Sequence, residues 1–153
     1  MESTLTQPFA ATSTPDSAAP ARAHDLPRVQ VWTGRVLSGL AVLFLTGDTV
    51  FKLVASPEAL KGTAELGWSP SAVFAIGVIE LVCLVAYLVP RTAVLGAVLF
   101  TGYLGGAIAT HLRIENPLFT HVLFPVYVAA FIWGGLFLRD RALRAVLPFR
   151  KPA

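Results

Sequence analysis

Very little of this chain is charged, and almost none of it is cysteine. A single cysteine, Cys83, occurs among 153 residues, so no disulfide closes within the chain and no CxxC pair exists. Four-helix membrane thiol oxidoreductases that act through a CxxC are thereby excluded. Charged residues make up 14 % of the sequence, against about 25 % in soluble domains. That is too little polar surface to cover a soluble core. The net charge is +3, but the basic residues flank apolar runs and form no patch interleaved with aromatics, so no nucleic-acid partner is expected. P-loop, dinucleotide fingerprint, GxSxG and HExxH are all missing.

What the chain has instead is apolar residues, 55 % of the total, gathered in long runs. Four runs stand out, over 31–54, 72–89, 92–112 and 121–138. At 1.5 Å per residue, helices of roughly 18 to 24 residues cross a hydrocarbon core of about 30 Å. Lipid offers backbone N–H and C=O groups no partners, so such runs must be helical. The expected fold is all-α, a four-transmembrane-helix bundle in the lipid bilayer. Little more than Pro90-Arg91 separates the second and third runs, which predicts a tight antiparallel hairpin. Residues 55–71 read as the longest connection, punctuated by Pro57, Gly62, Gly67 and Pro70, with Trp68 suited to the interface. No internal repeat is evident.

Residues 1–28 are rich in Ala, Ser, Thr and Pro and hold no run able to bury a face, so a disordered tail is expected there. A secretory signal is not expected, because the basic start and apolar middle are missing. The membrane domain is placed at 29–148 and a short basic tail at 149–153. Lys and Arg placement sets the orientation. Arg22, Arg28, Arg35, Arg91, Arg139, Arg141, Arg144, Arg150 and Lys151 fall on one side, and Lys52, Lys61 and Arg113 on the other. Both termini are therefore expected in the cytoplasm.

A few polar side chains interrupt the apolar runs. Asp48 and Lys52 are four apart and share a helix face, so they can pair. Asp48 lies six residues, about 9 Å, inside Val54, whereas Lys52 is close enough to the end to snorkel outward. Glu80 lies eight residues, about 12 Å, past Ala72. An ionised carboxylate at that depth needs a partner or a proton. Gly77, Cys83, Leu84 and Tyr87 share its face. In the third run, Gly102-xxx-Gly106 has the spacing of a helix-packing motif, and Tyr103 lies two turns before His111.

The densest polar stretch is TGYLGGAIATHLRIENPLFTHVLFP, residues 101–125. His111 and His121 bracket a link that also carries Arg113 and Glu115. These three, Arg113, Glu115 and His121, are read as an outer rim above an intramembrane cluster of Asp48, Lys52, Glu80, Tyr103 and His111. Two histidines without a cysteine or carboxylate triad fall short of a metal-site spacing, so no metal is expected. Haem takes two axial histidines, but these lie outside the core. Pro125 either starts the fourth helix or kinks it, and a kink would open room beside Glu80 and Tyr103 for a flat apolar ligand such as a quinone.

The order of these residues, with PRTAVLGA, TGYLGGAIATH, PLFTH, LFPVY and LRD, resembles the DoxX-like family of small bacterial four-helix membrane proteins over about residues 33–148. The resemblance implies a multi-pass protein of the bacterial cytoplasmic membrane. Relatives are associated with a quinone-linked thiosulfate oxidoreductase and with oxidative-stress complexes, so a redox connection is implied by analogy. No catalytic residue carries over. Three roles follow, in this order: an accessory or structural subunit of a respiratory or redox-stress system, a quinone-interacting oxidoreductase subunit, and a small proton-coupled transporter. A membrane or redox protein partner, or a second copy of the chain, belongs with the first. No resident cofactor is evident from motifs.

Overall fold

Runs this apolar satisfy their backbone only by folding on themselves, and the chain does so four times. The computed structural model describes residues 27–146. These form α1 (Arg28–Leu53), α2 (Pro57–Glu65), α3 (Pro70–Leu88), α4 (Ala93–Arg113), α5 (Phe124–Arg139) and α6 (Arg141–Val146), with a π-helical turn at Leu118–Val122 ahead of α5. Four helical segments are long and apolar enough to span a membrane: Arg28–Leu53, Pro70–Leu88, Ala93–Arg113 and Leu118–Arg139. α1 begins at Arg28, three residues before the apolar run. The expected N-terminal tail, apart from Pro27 and Arg28, and the expected basic tail at 149–153 lie outside the described residues.

Most of each span is exposed on the isolated chain. Leu43, Phe51, Val82, Leu95 and Val98 all have more than half their surface free. In a soluble protein such an apolar belt would be an association surface; here it is the lipid face. The buried face of α1 runs Gly34, Ser38, Ala41, Leu45 and Thr49, a three-and-four spacing that keeps one stripe toward the bundle. It meets Tyr87, Ala97, Phe100, Ile132 and Leu136 in the core.

Small residues let backbones touch where lipid supplies no hydrophobic drive. A Cβ on Gly34 would lie 2.8 Å from the Gly135 carbonyl oxygen, and one on Gly135 would lie 2.9 Å from that of Gly34. α1 and α5 therefore cross backbone to backbone. Between them, Ser38 Oγ and Tyr87 OH are 2.9 Å apart, and Tyr87 OH donates to the Ile132 carbonyl at 3.1 Å. One buried chain of hydrogen bonds thus links α1, α3 and α5.

Two connections differ from the expectation. Residues 55–71 are not simply a link, because α2 sits inside them: Ser56 Oγ accepts from Ala59 N–H at 3.1 Å, and Pro57 occupies the first turn. The Ser-Pro-Glu start was a legible helix signal. The fourth span is broken as Pro125 demanded. A straight helix would press the proline ring on the His121 carbonyl. The chain instead widens, with Leu123 N–H donating to Leu118 O at 2.9 Å, and α5 starts afresh at Phe124.

Three helices end at the same end of the bundle in the same way. After α1, Ala55 N–H donates to Lys52 O and Ser56 N–H to Phe51 O; after α2, Gly67 and Trp68 do the same to Ala64 and Thr63. After α4, Glu115 and Asn116 repeat it on Leu112 and His111. These are Schellman caps, whose turning residue is left-handed. Its φ is 48° at Ala55, 79° at Gly67 and 55° at Glu115. Only one of the three is glycine, so the other two hold strain.

Candidate intramembrane site

Lys52 is the hub of the polar residues. Its Nζ donates to Asp48 Oδ2, to Glu80 Oε2 at 2.8 Å and to Tyr103 OH at 2.9 Å. Tyr103 OH in turn donates to Glu80 Oε2 at 2.9 Å. All three ammonium hydrogens are thus used, and α1, α3 and α4 are tied by one group. Glu80 is fully buried, Lys52 is 16 % exposed and Asp48 39 %.

The expectation that Lys52 snorkels outward is corrected by this arrangement, and the reason is directional. Helical side chains lean toward the helix N-terminus. α1 runs toward the α2 end of the bundle, so Lys52 near its C-terminus leans back into the membrane. α3 runs the opposite way, and Glu80 leans up to meet it. Gly77, one turn before Glu80, makes the approach possible, since a Cβ there would lie 2.9 Å from Lys52 Cβ. Lys52 is thus the partner that Glu80 needed at its depth.

The Gly102–Gly106 pair does not pack helices, which corrects the motif reading. A Cβ at either position would touch nothing within 4 Å beyond its own helix backbone. On α4 the packing glycine is Gly96, set against the Tyr87 and Ala86 backbone. Gly102 and Gly106 instead line a cavity of about 920 Å³ among α1, α2, α3, α4 and the start of α5.

Asp48, Lys52 and Tyr103 form one polar patch of that cavity, and His111, Asn116 and His121 form another at and beyond the C-terminal end of α4. Phe44, Trp68 and Phe124 add aromatic wall, the two phenylalanine rings meeting edge to face at 5.3 Å. Glu80 stays behind the wall, reached only through Tyr103 and Lys52. Its Oε1 has no hydrogen-bond partner among the described residues.

His111, expected in the intramembrane cluster, makes no hydrogen bond to Asp48, Lys52, Glu80 or Tyr103. Its Nδ1 is 2.8 Å from the Asn116 side-chain amide, and its ring packs edge on against His121 at 5.8 Å. His121 Nδ1 is 2.8 Å from Thr120 Oγ1. Two rim residues do other work: Arg113 Nη2 donates to the Leu66 carbonyl at 2.7 Å, and Glu115 is the exposed turning residue of the α4 cap. Sequence reasoning missed Asn116 as a partner of His111, although the five-residue spacing matches the cap that brings it back. Among the described residues no three of His, Cys, Asp and Glu stand together as metal ligands. Cys83 is buried one turn from Glu80.

Chemically, the site sets the Lys52 ammonium and the Tyr103 hydroxyl at the edge of an apolar cavity, with their hydrogens engaged inside the network, so a ligand oxygen there competes with Asp48, Glu80 or Tyr103 for them. Behind them, the hydroxyl connects the cavity wall to a buried carboxylate. Comparison with curated proteins returns no match, and comparison with solved structures returns none either. The sequence profile described as the DoxX-like family matches residues 36–135. That match spans α3, α4 and most of α1 and α5, including every residue of the Lys52 network, and the chain belongs to the DoxX-like family.

Proposed function

We propose that this integral membrane protein serves a respiratory or redox-stress system by binding a quinone-type ligand in the cavity beside Tyr103. The observation that carries the reading is the cavity itself. Its volume of about 920 Å³ falls in the range of small-molecule sites, which are mostly apolar with a few placed polar groups. A quinone fits the wall chemistry: Phe44, Trp68 and Phe124 suit a flat ring, and its oxygen can take over a hydrogen bond that Lys52 or Tyr103 now gives within the network. When bound, such a ligand supplies two-electron carrier chemistry. The chain's own residues orient it, shield it from water and hold a proton path. When Glu80 carries a proton, the Tyr103 oxygen can accept it while its own hydrogen passes to an oxygen in the cavity, a relay that leaves Glu80 ionised and paired with Lys52. The family's redox associations support the same direction by analogy.

The orientation expected from charge also belongs to this proposal. Among the described residues, six of nine Lys and Arg lie toward the end of the bundle where α3 turns into α4, and three toward the α2 end. This supports both termini in the cytoplasm of a bacterial cell.

The test is quinone content and affinity. Solvent extraction of the purified chain should recover quinone in stoichiometric amount, and added short-chain quinone should bind. Tyr103→Phe should weaken binding about tenfold, as expected for loss of a buried hydrogen bond of about 1.4 kcal/mol. A protein free of quinone that also ignores added quinone would sink the reading. A second reading, a proton-coupled carrier, is favoured by two carboxylates sharing one ammonium with Glu80 Oε1 unpartnered. Its signature would be proton flux in liposomes that Glu80→Gln abolishes.

A further inference from the structure

α2 is built as a separate piece between two left-handed residues. Ala55 precedes it with φ 48° and Gly67 follows it with φ 79°, so the chain reverses sharply on both sides. It carries its own N-cap at Ser56. Ala59, Gly62, Thr63 and Leu66 contribute to the cavity wall, in the part that lies outside the four membrane spans.

At the α2 end of the cavity, one charged group ties α2 to α4, beside the packing of α2 on α3 and α1 that buries Thr63. Arg113, the last residue of α4, donates from Nη2 to the Leu66 carbonyl at 2.7 Å. Leu66 is the C-cap of α2, where carbonyls lack intrahelical donors and the helix dipole favours a cation. The guanidinium fits there because Gly67 has no side chain; a Cβ would lie 3.0 Å from Nη2. The contact is exposed, so water can compete for it and its release is reversible.

We propose that α2 is a lid on the intramembrane cavity, hinged at Ala55 and Gly67 and latched by Arg113 on the Leu66 carbonyl. Opening it joins the cavity to the aqueous side of the α2 end, without any change in the α1–α5 or α3–α4 packing. The device is independent of what the cavity binds, so its test uses no ligand.

The full chain is placed in lipid nanodiscs, in a Cys83→Ser background with Gly106→Cys as a reporter. Position 106 lines the cavity and has room for a side chain. The reporter is labelled with a membrane-impermeant maleimide, and deuterium uptake is followed in α2. Arg113→Gln should speed both labelling and α2 exchange about tenfold, the scale expected for one charge-assisted hydrogen bond partly open to water. Lys61→Gln, which removes a cation from α2 but not the latch, should leave both unchanged. Gly67→Ala crowds the guanidinium and strains the left-handed turn that seats it, so it should raise both rates in the direction of the Arg113 effect, providing a second route if one variant fails to fold. Unchanged labelling in both latch variants overturns the proposal, even if α2 exchange rises, because α2 would then be loose without covering the cavity.

Discussion

The two ends of the bundle are built on opposite principles. At the hairpin end, where α3 turns into α4, helices touch backbone to backbone through Gly34 and Gly135, and Phe100 and Ile132 are completely buried. The buried polar pair there, Ser38 with Tyr87, closes its hydrogen bonds on the Ile132 carbonyl. At the α2 end the same helices stand apart around a cavity, and the polar groups form an open network ending in an unpartnered carboxylate oxygen. The difference teaches where stability and function separate. The closed end supplies a rigid clamp, and the open end accommodates ionisable groups and two strained caps that a close-packed end has no need of.

The sharpest way to break this comparison is to remove the hub of the open end. Lys52→Met leaves Glu80 buried without its cation, and breaking a buried pair from one side costs about 3–5 kcal/mol. Thermal unfolding in detergent should show a large loss, with most of it recovered in Lys52→Met/Glu80→Gln. If the single change is no worse than a lipid-facing substitution, the network does not hold the bundle together.

A smaller effect is expected at the closed end. Gly135→Val would drive its Cβ toward Gly34 O and Ser38 N, both at 2.9 Å, and overpacking of this kind costs about 1–3 kcal/mol. The unfolding temperature should fall while ligand affinity in the folded protein stays the same. A drop in affinity would show that the two ends are coupled.

The smallest effect has the opposite sign. Gly102→Ala and Gly106→Ala add a methyl group that meets nothing and remove a flexible residue from a helix interior, a gain of about 0.5–1 kcal/mol. If either variant is destabilised like Gly135→Val, those glycines pack against a surface after all, and the boundary between the closed and open ends moves.

Much of the fold was legible because lipid as a solvent removes alternatives. Four apolar runs had to become helices, and the hairpin at Pro90-Arg91 and the break at Pro125 followed from local chemistry. α2 was legible too, in Ser56-Pro57-Glu58, but Pro57, Gly62 and Gly67 read as loop punctuation, and nothing in the sequence marked Ala55 as a turning residue. The candidate site was half legible: Asp48 and Lys52 meet because they are four apart on one helix. The glycines misled, since Gly34, Gly96 and Gly135 pack helices while the motif-spaced Gly102 and Gly106 do not.

What the chain's own sequence determined was therefore everything governed by one helix at a time: span, start, stop, and which residues share a face. Only the tertiary structure decided which faces meet. Lys52 turned inward because the lean of α1 side chains, the opposite lean of α3 and the gap at Gly77 brought Glu80 within 2.8 Å of it. Gly102 and Gly106 faced a cavity because α4 is rotated to bury Gly96, Ala97, Phe100 and Leu104 instead. Helix rotation and crossing arise from the sum of many small contacts across several helices, and no single stretch of sequence carries that sum.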